Sequence, residues 1–233
     1  MIVRALRWCV VLSALVLWTP SRVQLAAQEP QVDLALVLAI DCSFSVDSSE
    51  FRLQMQGLGD AFRREEVKRA IRNGHTGRIA IAAVQWSDES NQQVIVPWTV
   101  IASDADAEAL GVILSAMPRK LAEGGTSISR ALEFSGNLFR KAPPAERRVI
   151  DVSSDGRNNI GPPVSMERDR IVANGITINA LAILNEWPTL DKYFENNVVG
   201  GQANFVMPAD NYESYSEAIF RKLVREIVGP GIS

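Results

Sequence analysis

Two kinds of hydrophobic pattern alternate along the chain between residues 32 and 228. Largely apolar runs of strand length, such as residues 32–40 and 176–184, are typical of strands buried on both faces of a parallel sheet. The segments between them carry apolar residues every three or four positions, which is the spacing of a helix with one buried face. The alternation predicts an α/β fold: a doubly wound, mostly parallel six-stranded sheet with helices on both faces.

The third predicted strand shows the features of a sheet edge. Only the turn at residues 88–91 separates it from the second strand, so we expect the two to form an antiparallel hairpin. Pro97 lies inside it, and proline is confined to edge strands because it cannot donate a ladder hydrogen bond. The six predicted strands are residues 32–40, 78–86, 93–101, 147–153, 176–184 and 204–207.

The helical segments carry their own start signals. Asp47 is followed three residues later by Glu50, the reciprocal pair of a capping box, so a helix is predicted to begin there. The charged stretch at residues 63–69 is interpreted as a solvated helix face or a turn. Further helices are predicted at residues 103–117, in the segment that follows residue 126, and at residues 164–174, 190–196 and 212–228.

The N-terminal segment is typical of a secretory signal. Arg4 and Arg7 precede an apolar run over residues 8–18, and small residues follow at Ala26 and Ala27. We expect cleavage after Ala27 and export to the periplasm or the cell exterior, with an uncleaved anchor as the alternative. The predicted organisation is a signal peptide at 1–27, a linker at 28–31, one domain at 32–229 and a tail at 230–233.

Charge and cysteine content narrow the function classes. The whole chain carries a net charge of −3, with 24 basic and 27 acidic residues; the signal holds three arginines and no acid, so the mature chain has a net charge of about −6. This balance argues against nucleic acid as a partner. After signal cleavage Cys42 is the one remaining cysteine, so no intramolecular disulfide can form, and we interpret it as a small buried side chain.

Polar side chains follow two of the predicted strands and precede one helix. Asp41, Ser43 and Ser45 come directly after the first strand, Thr126 follows two glycines before a helix, and Asp155 follows the fourth strand. If these strands are parallel neighbours, the three loops meet at one end of the sheet, where α/β proteins bind ligands.

The chemistry of these five residues suits a hard cation. Magnesium prefers oxygen ligands in octahedral geometry, and two carboxylates with three hydroxyls fill part of such a shell. We therefore predict one Mg²⁺ or Mn²⁺ ion bound by Asp41, Ser43, Ser45, Thr126 and Asp155. Each of these residue types is also an ordinary helix cap or turn residue, so a degenerate site is the alternative.

The three segments together resemble the von Willebrand factor A domain and its metal-ion-dependent adhesion site. They contain a D-x-S-x-S loop after the first strand, a G-G-T-x-x-x-x-A-L segment at residues 124–132 and an S-D-G after a later strand. The resemblance covers residues 32–228 and implies a Rossmann-like fold. It implies direct metal ligation by Ser43, Ser45 and Thr126, with Asp41 and Asp155 acting largely through waters. The chain also resembles small exported bacterial proteins of this fold that are uncharacterised.

One position departs from the family pattern. Many members carry glycine where this chain has Phe44. Two interpretations follow, because a bulky ring there either narrows access to the metal or offers an apolar contact to a ligand.

The resemblance implies a non-enzymatic binding module. We expect a monomer that presents its metal to an exposed carboxylate of a protein partner, with no nucleic-acid partner and no membrane association after signal cleavage. A magnesium-dependent phosphatase-like hydrolase is the main alternative, but such enzymes carry a second aspartate where this chain has Ser43. His75, the only histidine, is interpreted as a loop residue. Export and acidic charge also permit a periplasmic solute-binding protein, and a domain with an empty site and a structural role fits the sequence as well.

Overall fold

A single twisted sheet of six strands forms the centre of the molecule. In the computed structural model, which describes residues 31–230, the strand order is β3-β2-β1-β4-β5-β6. All neighbours pair in parallel except β2 and β3, which are antiparallel. The strands are β1 (Val32–Asp41), β2 (Ile79–Trp86), β3 (Gln92–Ile101), β4 (Ala145–Ser154), β5 (Thr177–Ile183) and β6 (Val206–Ala209).

Seven α-helices cover the two faces of the sheet. They are α1 (Ser48–Arg63), α2 (Glu65–Arg72), α3 (Asp104–Ser115), α4 (Ile128–Leu138), α5 (Val164–Ala173), α6 (Leu190–Asn197) and α7 (Tyr215–Val228). A short 3₁₀ turn, Phe139–Lys141, extends α4. No helix in residues 31–230 is long and apolar enough to cross a membrane.

Burial of β1 on both faces explains why its sequence is apolar without interruption from Leu34 to Ile40. All ten of its residues are buried, and alternate side chains enter two separate cores. Leu34, Leu36, Leu38 and Ile40 pack against α1, α2, α3 and α7. Val37 and Ala39 pack against α4, α5 and α6 on the opposite face. The sheet is therefore a layer between two helical layers, and the predicted fold class is confirmed.

Most element boundaries agree with the sequence pattern. Asp47 and Glu50 form the predicted capping box at the start of α1, with the Asp47 side chain accepting from two backbone amides. Pro97 is exposed on β3, which lies at the edge of the sheet as predicted. Near this proline the pairing of β2 with β3 is irregular. A ladder that lacks one N–H donor tolerates this irregularity at an edge.

Two segments differ from the prediction. The charged stretch at residues 63–69 contains the break between α1 and a separate helix, α2, whose apolar side is only Val67 and Ile71. The last strand begins at Val206, two residues later than expected. The predicted signal peptide at 1–27, most of the linker at 28–31 and residues 231–233 of the tail lie outside the described residues.

The topology creates a crevice at one edge of the sheet. The chain leaves β1 towards β2 through α1 and α2, and it leaves β4 towards β5 on the other side through α5. Because β1 and β4 are parallel neighbours whose connections diverge, their carboxyl ends face an open crevice. This is the point at which the loops after Asp41 and Ser154 emerge.

Candidate metal centre

The three loops that carry the predicted ligands come together at this crevice. The hydroxyl oxygens of Ser43 and Ser45 lie 3.3 Å apart, and Ser45 Oγ donates to Asp155 Oδ1 at 2.6 Å. Gly156 lies between two of the loops, because a Cβ built on it would lie 3.4 Å from Thr126 Oγ1 and 3.9 Å from Ser45 Oγ. The five residues that were far apart in sequence therefore share one small region.

Asp41 is fully buried at the end of β1 and is held from two sides. The backbone N–H of Ser43 donates to its Oδ1 at 2.7 Å, and the hydroxyl of Ser154 donates to its Oδ2. Ser154 itself is fixed because it accepts from the amide of Gly156 at 3.1 Å. Both Asp41 oxygens thus have a defined orientation. This fits a buried carboxylate that orders the surrounding loops rather than one exposed to a ligand.

Asp155 follows β4 and accepts hydrogen bonds on each oxygen. Ser45 donates to Oδ1, and the Tyr212 hydroxyl donates to Oδ2 at 3.0 Å. Tyr212 is buried and lies three residues before α7. The carboxylate therefore connects the loop after β1 with the segment that leads into the last helix.

Thr126 is positioned by a loop that follows β4. Its backbone N–H donates to Asn159 Oδ1 at 2.8 Å, and the amide of Asn159 donates back to the Thr126 carbonyl at 3.0 Å. Asn158 accepts from the amide of Ser129 at 3.2 Å, in the first turn of α4. The two asparagines thus serve as caps for α4, whose own N-cap residue makes no side-chain hydrogen bond. Thr126 consequently lies at the positive end of the α4 dipole.

Two buried carboxylates lie side by side in the centre, so their ionised forms are unfavourable unless a positive charge is nearby. Burial, and then the nearby charge of Asp155, raise the pKa of Asp41 to about 7. Burial also raises the pKa of Asp155, although its bonds from Ser45 and Tyr212 oppose the shift. Within residues 31–230, neither carboxylate forms an ion pair with a lysine or arginine. A divalent cation would supply the missing positive charge, so the donor set fits such an ion.

An open depression of about 780 Å³ lies over the centre. Its rim includes two exposed aromatic side chains, Phe44 at 76% and Trp187 at 48% of full exposure. The guanidinium of Arg157 lies 4.8 Å from the Trp187 ring centroid. Ser45, Thr126 and Gly156 line the depression, so two of the five candidate ligands border it, while Asp41, Ser43 and Asp155 are buried beneath. A ligand approaching the centre would meet two aromatic side chains, one cation and two acids, Glu123 and Glu186.

Cys42 is not part of this accessible surface. It is completely buried in the core beneath α1, and burial raises the pKa of its thiol. A thiol held in its neutral form is a poor nucleophile and a poor metal ligand. The interpretation of Cys42 as a packing residue agrees with this environment.

A second group of candidate ligands lies at the opposite end of the sheet. Asp33, His75 and Glu146 each place a potential ligand atom within 4.8 Å of the other two. Asp33 is the second residue of β1 and Asp41 the last, so the two clusters are about 26 Å apart. This group contains none of the predicted site residues, and it is separate from the centre at Asp41.

Sequence patterns did not indicate all the residues that hold the centre together. Ser154 could have been found, because it is the serine of the S-D-G segment that contains Asp155. Tyr212 is predicted as the first residue of the last helix, which instead begins at Tyr215, and Asn158 and Asn159 belong to none of the three motifs. Their roles depend on loops that meet only after the sheet has formed.

Comparisons with known proteins agree with this architecture. Residues 31–231 match the model of a family described as "Protein of unknown function (DUF1194)". A search of curated proteins found no match. Among solved structures, proximal thread matrix protein 1 from the mussel byssus, with a zinc-occupied MIDAS motif, is 20% identical with a TM-score of 0.63; the match covers 87% of this chain and 50% of that one.

Two bacterial structures show the same fold. A von Willebrand factor type A protein from Catenulispora acidiphila is 19% identical with a TM-score of 0.56, covering 84% of this chain and 43% of that one. An aerotolerance-related membrane protein from Bacteroides fragilis is 16% identical with a TM-score of 0.50, covering 82% and 98%. This chain spans about half the length of the mussel and Catenulispora chains. The likeness shows that the fold is that of a von Willebrand factor A domain.

Proposed function

Because the chain belongs to the DUF1194 family and has a von Willebrand factor A fold, we propose that it is a divalent-cation-dependent interaction module. In this proposal the hydroxyls of Ser43, Ser45 and Thr126 ligate one ion directly. Asp41 and Asp155 act largely through waters and supply the negative charge. A carboxylate oxygen from a protein partner completes the coordination shell.

One observation carries the proposal. Two buried carboxylates and three hydroxyls converge below a solvent-open depression, and no basic side chain of residues 31–230 forms an ion pair with either acid. Two negative groups and three neutral hydroxyls leave a bound divalent cation electrophilic enough to accept an anionic oxygen. The arrangement therefore favours binding of an acidic group over simple storage of the metal.

The ion that fits best is Mg²⁺ or Mn²⁺. All five donor atoms are oxygens, and hard cations prefer oxygen, whereas zinc sites in proteins usually include nitrogen or sulfur ligands. The zinc in the mussel protein structure belongs to that protein. We further propose that the domain acts after export, in the periplasm or outside the cell, on a protein partner.

The chemistry at the centre favours binding over catalysis. Ser43 stands where a phosphatase of the aspartyl-nucleophile type would have its second aspartate, so the loop offers no acid–base partner to Asp41. The chain's one histidine lies in the second cluster, about 26 Å from Asp41. A general acid or base must be within hydrogen-bond reach of the reacting group.

The test is metal-dependent binding of a carboxylate by the chain. The probes are two capped tripeptides, Gly-Glu-Gly and Gly-Gln-Gly, which differ only in their side-chain charge. With Mn²⁺ bound to the protein, paramagnetic relaxation should broaden the glutamate γ-protons much more than the glutamine γ-protons. The broadening should disappear in Thr126→Ala, which loses one proposed ligand.

Equal broadening of both peptides, or broadening that survives Thr126→Ala, would overturn the proposal. Ser135→Ala is the matched control, because Ser135 is likewise a buried hydroxyl residue but lies within α4, away from the candidate ligands. Hydrolysis of a generic phosphomonoester that is lost in Asp41→Asn would favour the hydrolase instead.

A further inference from the structure

The amino ends of β1 and β4 place two acidic side chains next to each other. Val32 pairs with Ala145 and Leu34 with Arg147, so Asp33 lies opposite Glu146 on the neighbouring parallel strand. Asp33 lies on the same face of the sheet as Val37, and Glu146 lies on the same face as Ile150. Val37 and Ile150 both belong to the core under α4 and α5. The two carboxylates therefore project from the same face of the sheet.

The turn between α2 and β2 brings an imidazole to the same place. The backbone N–H of Thr76 donates to Asp33 Oδ1 at 2.6 Å, which holds the turn against the strand. Gly74 is required for this approach, because a Cβ there would lie 2.1 Å from Asp33 Oδ2. His75, between them, extends its Nδ1 to within 2.7 Å of Glu146 Oε1.

The second carboxylate oxygen of Asp33 is buried without a hydrogen-bond partner in the described residues. Asp33 is only 6% exposed, and within residues 31–230 its Oδ2 is buried without any hydrogen bond. Buried acceptors are normally satisfied, so this atom requires an explanation. The guanidinium of Arg147 is nearby, but it donates to the carbonyls of Glu226 and Ile227. Asp33 instead places a carboxylate oxygen within 4.8 Å of ligand atoms of His75 and Glu146.

We propose that Asp33, His75 and Glu146 form a second metal site for a borderline transition-metal ion of the zinc class. One imidazole nitrogen and two carboxylate oxygens are a donor set that zinc accepts, with water in the remaining position. The imidazole nitrogen distinguishes it from the all-oxygen centre at Asp41. His75 and Glu146 are accessible at the surface, so an ion can enter from solvent, while Asp33 forms the buried wall.

The site is independent of the proposed function. Its ligands lie at the amino ends of the strands, whereas the centre at Asp41 lies at the carboxyl ends. Loss of binding at one site should therefore leave the other intact. In the metal-free molecule His75 and Glu146 pair with each other, so the ion must replace this pair and any proton on the ring.

The experiment uses the only histidine of the chain as its reporter. The full chain, purified without a polyhistidine tag and carrying Asp41→Ala and Thr126→Ala to disable the first centre, is titrated with Zn²⁺ at about pH 8, where most imidazoles are neutral. The ¹⁵N resonances of the His75 ring should shift and saturate at one equivalent of Zn²⁺. Glu146→Gln and Asp33→Asn should each weaken binding at least about tenfold.

Glu195→Gln is the matched control. Glu195 is an exposed acid that also pairs with a basic side chain, Lys192, and it should leave the titration unchanged. Ring resonances that do not respond to Zn²⁺ would overturn the proposal. A response that is the same in Glu146→Gln and Asp33→Asn as in the parent would also overturn it, since it would show binding to the imidazole alone. Glu146 is at the surface, so its variant remains informative if Asp33→Asn unfolds.

Discussion

The Tyr212 hydroxyl donates a hydrogen bond to Asp155 Oδ2 at 3.0 Å, inside the buried wall of the candidate metal centre. Through it a residue just before α7 contacts the carboxylate that also accepts from Ser45. Because the acceptor is a carboxyl group, this bond should be stronger than one between two neutral groups. The metal centre and the start of the last helix are therefore energetically linked.

Removing the Tyr212 hydroxyl should measurably destabilise the metal-free domain. Tyr212→Phe is expected to lower the free energy of unfolding by about 2 kcal/mol in chelator, because a bond to a charged group is lost. Tyr215→Phe is the matched control, since its hydroxyl is also buried but donates no hydrogen bond to a carboxylate in the described part of the chain, and its removal should cost about 1 kcal/mol or less. Urea unfolding monitored by circular dichroism measures both. Equal losses would contradict a charge-assisted bond to Asp155.

Cation binding at the centre should raise the melting temperature of the wild-type chain. A ligand at about 100 times its dissociation constant adds about 2.7 kcal/mol, or roughly 5–10 °C for a domain of this size. Millimolar Mg²⁺ or Mn²⁺ should produce this shift, and Asp41→Asn or Thr126→Ala should abolish it. Differential scanning fluorimetry against a chelator baseline measures the shift. A folded wild-type chain that melts at the same temperature with and without the ions would contradict the metal centre.

The control for Thr126→Ala is Ser135→Ala, on the helix that Thr126 precedes. Ser135 is completely buried, and its hydroxyl has no hydrogen-bond partner in the described part of the chain. Its removal leaves the metal centre untouched, so the cation-induced shift should persist in full.

The order of strands and helices was predictable because each follows from local chemistry. β1 is buried on both faces, so its sequence is apolar from Leu34 to Ile40, and α1 begins at a capping box visible in four residues. The D-x-S-x-S, G-G-T and S-D-G segments mark loops that the topology must bring together once β1 and β4 are neighbours. Fold class and the convergence of the five candidate ligands could therefore be inferred from sequence.

What escaped prediction depends on contacts between distant segments. Tyr212 and Asp155 are 57 positions apart in sequence, and no local motif around either residue predicts their hydrogen bond. Asp33 and Glu146 meet through strand register, which a hydrophobic pattern indicates only to within a few residues. The separate helix α2 was hidden because charged residues dominate it and only Val67 and Ile71 are buried.

A buried ion triad should make α7 sensitive to the loss of one lysine. Lys222 is inaccessible to solvent and lies 2.6 Å from Asp151 Oδ1 on β4 and 2.5 Å from Glu226 Oε1. Lys222→Met would leave two buried carboxylates without their cation, which should cost about 4 kcal/mol. Guanidinium unfolding at about pH 8, above the pKa of about 7 to which burial raises Asp151, measures the loss.

The adjacent residue provides the control for Lys222. Arg221 pairs with Glu217 at the surface, where both side chains are about half exposed or more. Arg221→Met should change the free energy of unfolding by less than about 1 kcal/mol. A similarly small loss in Lys222→Met would show that the buried acids take up protons at little cost.

Phe44 should make the domain prefer partners that carry an apolar residue next to the carboxylate that binds the metal. Its backbone N–H donates to the Gly124 carbonyl at 2.9 Å, while its ring is 76% exposed on the rim of the depression. The side chain can therefore be removed without disturbing the loop, and Phe44→Ala should keep both its stability, within about 0.5 kcal/mol, and its cation-induced shift. A ring that is exposed but held by its backbone is suited to contact a ligand.

Two peptides distinguish an apolar contact from a steric barrier at Phe44. Burial of about 60 Å² of apolar surface contributes about 1.5 kcal/mol, so a capped Phe-Glu peptide should bind wild type roughly tenfold more tightly than Ala-Glu. The preference should vanish in Phe44→Ala and persist in Val112→Ala, which shortens an exposed apolar side chain on α3, away from the centre. Titration calorimetry with saturating Mg²⁺ measures the affinities. If Phe44→Ala instead strengthens binding of both peptides, the ring restricts access to the metal and the contact role is wrong.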